Sequence, residues 1–214
     1  MGIVIGEVAP LALGIALSPF PVVPAILLLF TPRARATGGS FLAGWTGGIA
    51  VVASVFATSI EAREETPTWV SWSKVGLAAI LLLLAVRQWR SGAKKGTPAW
   101  MRSLTDATPL KALRLGLVLS VANPKVFLLS AAAGLTIGSA ELGATHTVAS
   151  LAVFTAIAAL TVALPLLLHV AAGERVLVPL GNVRAWLERH NSTVTALVLA
   201  VIGVLLLIEG VTGL

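Results

Sequence analysis

Leu13–Pro24 reads LGIALSPFPVVP, and Leu115–Lys125 reads LGLVLSVANPK. Both stretches open on L-G-x-x-L-S inside an apolar run, 102 residues apart, and both then meet proline. Proline has no backbone N–H, and its ring crowds the carbonyl four residues earlier. Pro19, Pro21 and Pro24 therefore disturb the carbonyls of Ile15, Leu17 and Phe20, and Pro124 disturbs that of Ser120. A regular helix cannot absorb three such defects within six residues. The first run is predicted to be a broken helix, and the second to break once. In hydrocarbon the freed groups need partners from protein or from a wet cavity. Ser18 and Asn123 lie close enough to supply some of them.

The rest of the chain makes hydrocarbon the expected solvent. Of 214 residues, 57% are hydrophobic and 11% are charged. Soluble domains carry about 45–50% apolar and about 25% charged residues. A soluble enzyme, a disordered chain and a nucleic-acid reader are thereby excluded. Cysteine is absent, which removes disulfides and thiolate metal sites, and His146, His169 and His190 are far apart. No metal and no cofactor is expected. A bilayer crossing needs about 20 apolar residues. Six segments qualify: Ile3–Phe30, Phe41–Ile60, Trp69–Val86, Leu113–Ile137, Val148–Val170 and the shorter Val194–Ile208. The first lacks a basic leader and is interrupted by proline, so it reads as a span and not as a signal peptide. The expected fold class is an all-α integral membrane protein with six transmembrane helices.

Charge sets the orientation. Arg33 and Arg35 follow the first span; Arg87, Arg90, Lys94, Lys95, Arg102, Lys111 and Arg114 surround the loop after the third; Arg175, Arg184 and Arg189 follow the fifth. Those twelve basic residues lie on one side, against Arg63 and Lys74 on the other beside Glu61, Glu64, Glu65 and Glu141. The positive-inside rule then puts the basic loops in the cytoplasm and both termini outside. Three spans per half make the halves inverted, a recurrent plan in secondary transporters. The expected organisation is a first repeat over residues 1–90, a cytoplasmic linker over 91–110 and a second repeat over 111–214. Within the linker, Trp100, Met101 and Leu104 could dip into the interface. Asn182–His190 is a second interfacial candidate, with Val183, Trp186 and Leu187 on one helical face. A solvated loop is the competing reading of both.

Paired broken helices at corresponding positions point to a transporter's binding site, where half-helix N-termini attract anions. The candidate substrate-binding residues are Ser18, Pro19, Pro21, Pro24, Ser120, Asn123, Pro124 and Lys125, with Arg33 and Arg35 as cytoplasmic headgroup contacts. Lys125 matters most. It lies about 15 Å past the inner boundary, at about 1.5 Å per residue. Intramembrane lysines are costly and normally face a cavity or a partner. No carboxylate lies at equal depth, since Glu7 and Glu209 are near the outer face. A phosphate, sulfate or carboxylate headgroup would supply the missing counter-ion; snorkelling to the inner interface is the competing reading. His169, near the inner end of its span, is expected to snorkel. Gly44-x-x-x-Gly48 and Gly134-x-x-x-Gly138 suit close helix contact, within the chain or across a homodimer. Asn191-Ser192-Thr193 matches a glycosylation acceptor but falls on the cytoplasmic side.

Ser18-Pro19-Phe20-Pro21, Thr31-Pro32-Arg33-Ala34-Arg35-Ala36, Phe41-Leu42-Ala43-Gly44-Trp45 and Asn123-Pro124-Lys125 together resemble the GAP family. These are the peptidoglycolipid- or sulfolipid-addressing (Sap-like) proteins of mycobacteria and relatives, within the LysE transporter superfamily. The resemblance runs the length of the chain. It implies six spans in an inverted three-plus-three repeat, an inner-membrane location, and movement of envelope lipids or glycolipids. Some superfamily members export amino acids or metal ions instead. A metal exporter wants carboxylates, His or Cys in its spans. A cationic amino acid would want buried acids. The buried lysine suits an anionic cargo better. The resulting expectation is a transporter or flippase for an anionic, phosphate-bearing envelope lipid, with no enzymatic activity. A LysE-type exporter of a small solute and a non-transporting scaffold for envelope-lipid assembly are the alternatives. The partners expected are the lipid or glycolipid substrate and the membrane, with no nucleic acid; a homodimer and envelope-synthesis enzymes stay open.

Overall fold

The computed structural model describes residues 2–61, 68–91, 103–140 and 142–212. These form eight α-helices and no strand: α1 Gly2–Ala16, α2 Pro19–Leu28, α3 Ala34–Glu61, α4 Thr68–Ser91, α5 Pro109–Val121, α6 Pro124–Gly138, α7 Ala144–Ala172 and α8 Leu177–Thr212. Most of the linker, including Trp100 and Met101, lies outside the described residues, as do Arg63, Glu64, Glu65 and Glu141. Leu104 sits in a short 3-10 turn, Ser103–Asp106, and is buried.

Prolines and caps place the helix starts. Pro19, Pro109 and Pro124 each sit in a first turn, where a missing N–H costs no helical bond. Thr108 and Asn123 cap their helices through side-chain oxygens. Gly173, at φ 65°, ends α7 in the left-handed region that glycine enters without strain.

Ala34–Ser59 and Ala144–Val183 are each long and apolar enough to cross a membrane. Two further spans result if each bent pair counts as one, α1 with α2 at 58° and α5 with α6 at 68°. Among the described residues, α4 and α8 hold the apolar stretches Val75–Arg87 and Leu199–Ile208. The protein is thus a helical membrane protein with both expected breaks present. Asn182–His190 is helical backbone inside α8, not a loop.

The prolines act differently from the expectation. Because the chain breaks at Leu17–Ser18, Pro19 and Pro21 fall in the first turn of α2, and only Pro24 lies in its interior. Two of the three predicted defects are therefore absorbed by starting a new helix. The serines that the repeated motif aligns also part company. Ser18 is the N-cap of α2, whereas Ser120 lies in the last turn of α5 and Asn123 is the N-cap of α6.

Small residues govern the packing. A Cβ on Gly44 would meet the Leu113 carbonyl, and one on Gly116 would meet that of Phe41, so α3 and α5 touch backbone to backbone. A Cβ on Gly134 or Gly138 would meet the carbonyl of Ala53 or Ala57, which fixes α6 against α3. Both glycine motifs are therefore occupied inside the monomer. Helix α1 packs against α6 and α7, α2 against α7 and α8, and α4 against α8. Val8, Ile15, Trp45, Leu129 and Phe154 belong to the main core. Val22 and Ile26 of α2, with Leu29 just after it, form a second cluster with Leu180 of α8.

Candidate functional site

The site is built from the two breaks. At the first, Ser18 is extended (φ −77°, ψ 117°), is buried, and makes no side-chain capping bond. The Ile15 carbonyl, which Pro19 cannot serve, accepts the Ser18 N–H at 3.0 Å. The Thr161 hydroxyl of α7 donates to the Ala16 carbonyl at 2.6 Å. Partners for the broken end thus come from a tightened last turn and from a neighbouring helix, and not from Ser18 Oγ. Pro21 and Pro24 are buried, in the helix that packs on α7 and α8.

At the second break, Asn123 is also extended (φ −79°, ψ 111°), but it caps locally: its Oδ1 accepts the Lys125 N–H at 3.1 Å. Pro124 occupies the first position of α6 and is exposed. Ser120 is buried, donates to the Leu117 carbonyl at 2.8 Å, and presses its side chain against Gly48 of α3. Its hydroxyl serves helix packing more than an open site.

Lys125 is 6% exposed, and its Nζ has no hydrogen-bond partner. The residue lies in the first turn of α6, where the helix dipole adds positive potential. The Nε1 of Trp45 on α3 and the Oγ of Ser130 on α6 are likewise buried and unpartnered. His169, expected to snorkel, is buried too, with Nδ1 unpartnered.

The structure joins the two broken spans through α1 and α6, while α2 carries Pro21 and Pro24 away toward α7 and α8. Arg33 and Arg35 are exposed at the start of α3, whereas Lys125 is buried. Their turn is held by buried threonines: the Thr31 and Thr37 hydroxyls lie 2.8 Å apart, and each is within hydrogen-bond reach of the Leu28 carbonyl. Thr161, Trp45 and Ser130 were not anticipated. A hydroxyl in the middle of a span would have flagged Thr161. Among the described residues no group of His, Cys, Asp and Glu could hold a metal ion. The chemistry on offer is anion recognition by a buried cation and a helix N-terminus.

No curated protein and no solved structure matches this chain. A family model described as Sap, sulfolipid-1-addressing protein, matches residues 8–212. That match takes in both breaks, Lys125 and every helix but the first few residues of α1, and the chain belongs to the Sap (sulfolipid-1-addressing protein) family.

Proposed function

We propose that the protein is a transporter or flippase that carries an anionic envelope lipid or glycolipid across the inner membrane, with the headgroup bound where α5 breaks into α6. The carrying observation is Lys125, a buried ammonium without a partner in a bent span. A lone charge in hydrocarbon is costly, and an anionic headgroup offsets that cost. The phosphate or sulfate would meet the ammonium in the positive potential of the α6 N-terminus. Acyl chains need not enter the protein. Leu117, Val118 and Val121 of α5 are exposed and offer them an apolar flank. The family's name, sulfolipid-addressing, fits an anionic headgroup.

Six spans in an inverted three-plus-three arrangement, both termini extracytoplasmic and the basic loops cytoplasmic, complete this reading. Placement in the LysE superfamily rests on the resemblance of the motifs. Arg33 and Arg35, exposed beside the Thr31–Thr37 clamp, would gather anionic headgroups at the inner face before they enter.

The test is translocation of a fluorescent anionic lipid in proteoliposomes. Lys125→Ala should cut the rate by at least about tenfold, the loss of ~1.4 kcal/mol or more of headgroup binding. The double variant Pro19→Ala, Pro21→Ala should slow it as well, by letting α1 run on into α2. Wild-type-like translocation by folded Lys125→Ala would refute the site. Absence of translocation by the wild type itself would favour the scaffold or a small-solute exporter.

A further inference from the structure

Helices α4 and α8 carry none of the residues at the breaks, and they enclose a feature of their own. Near mid-length they meet closely: a Cβ on Gly203 of α8 would collide with Leu82 of α4. Beyond this contact, toward the basic end of α4, a gap opens between the two helices. Ala85 on one side and Ala196 and Ala200 on the other are too small to fill the gap. A cleft of about 260 Å³ results, closed by Val86, Trp89 and Arg90. Its walls are apolar, and Arg90 is the one charged residue lining it. Trp89, 67% exposed, stands at the rim.

The size and charge of the cleft select its occupant. From Ala85 to Arg90 the helix advances about 8 Å. That suits a segment of one hydrocarbon chain, not a whole lipid. An apolar cleft facing the bilayer holds no ordered water, because it offers no polar partners. Arg90 makes no ion pair among the described residues, and its guanidinium matches a phosphate in shape and charge. Basic pockets between membrane helices recognise anionic headgroups in this way. Trp89 belongs at the depth where headgroups begin.

We infer that an anionic phospholipid of the leaflet beside this basic end docks on the α4–α8 pair, with one acyl chain in the cleft and its phosphate on Arg90. It is a resident lipid, separate from the cargo. It fills the gap between the two helices.

The experiment uses the full-length protein in phosphatidylcholine vesicles doped with chain-spin-labelled phosphatidylglycerol or, separately, labelled phosphatidylcholine. Electron paramagnetic resonance reads the immobilised fraction. Wild type should hold phosphatidylglycerol about fivefold over phosphatidylcholine, the scale of one surface arginine. Arg90→Gln, at an exposed position, should abolish that preference without disturbing the fold. Ala200→Trp should fill the cleft and lower the immobilised fraction of both lipids. Lys125→Ala should leave in place the preference that Arg90→Gln removes, so failure of the transport site leaves this prediction standing. Equal retention of the two lipids by wild type would overturn the inference. So would a preference that survives Arg90→Gln, or one that disappears in Lys125→Ala alone.

Discussion

The two helix breaks bend by similar angles, 58° and 68°, yet they are held in different ways. The second is locally self-sufficient. Asn123 caps α6 from one residue before it, and glycines seat α5 and α6 on α3. The first depends on others, because Ser18 caps nothing with its side chain and Thr161 must reach from α7 to the Ala16 carbonyl. The residues just beyond the two prolines differ as well. Phe20 follows Pro19, whereas Lys125 follows Pro124. One break presents an apolar residue and the other a charge. A shared backbone device is held in two ways: the first break leans on a neighbouring helix, and the second is capped locally beside a buried charge.

The largest effect expected concerns the charge. Lys125→Met should abolish transport and at the same time raise the unfolding midpoint in detergent titration, since a lone buried ammonium costs about 3 kcal/mol on insertion scales. A variant that lost both activity and stability would mean that Lys125 has a structural partner. Next comes the seating of the second break. Gly134→Val drives a side chain into the Ala53 carbonyl and should destabilise by about 3 kcal/mol, an overpacking loss. Gly6→Val, on α1 with open space around it, should differ from wild type by well under half of that.

Smaller effects separate the two breaks directly. Thr161→Val should cost about 1 kcal/mol through the orphaned Ala16 carbonyl, and the loss should appear in α1 as faster hydrogen exchange. Asn123→Ala should cost a similar ~1 kcal/mol as a lost cap. Ser18→Ala should cost only about 0.3 kcal/mol, because no side-chain bond is lost. Equal losses for Asn123→Ala and Ser18→Ala would erase the contrast between a local cap and a borrowed one.

Much of this was legible in the chain. Proline positions located both breaks, because the deletion of an N–H is a local event that needs no knowledge of neighbours. Lys125 stood out because no carboxylate shares its depth. The glycine motifs announced close contact, but the choice between internal packing and a homodimer needed the facing carbonyls of Phe41, Ala53, Leu113 and Ala57. Thr161 could be flagged as a mid-span hydroxyl, but its partner was illegible, since the bond spans 145 residues. Ser120 was misplaced for a related reason. The repeated L-G-x-x-L-S motif aligns letters, while the second half carries three more residues between its serine and its proline. Helix periodicity then turns Ser120 toward Gly48, leaving Asn123 as the counterpart of Ser18.

The interfaces described above also bear on how the chain is made. Helix α3 rests on α5 and α6, α1 on α6 and α7, and α4 on α8, whereas contacts within either half are slight among the described residues. The halves are interleaved, not juxtaposed. When the ribosome has released the first ninety residues, their helices have entered the bilayer without the surfaces they are built to meet. Gly44 and Gly48 wait for α5, and Ala78 waits for Gly203. The first half is therefore a client until synthesis ends, exposed to the quality-control proteases of the membrane. A chain severed in the linker should survive in cells only when both fragments are expressed together.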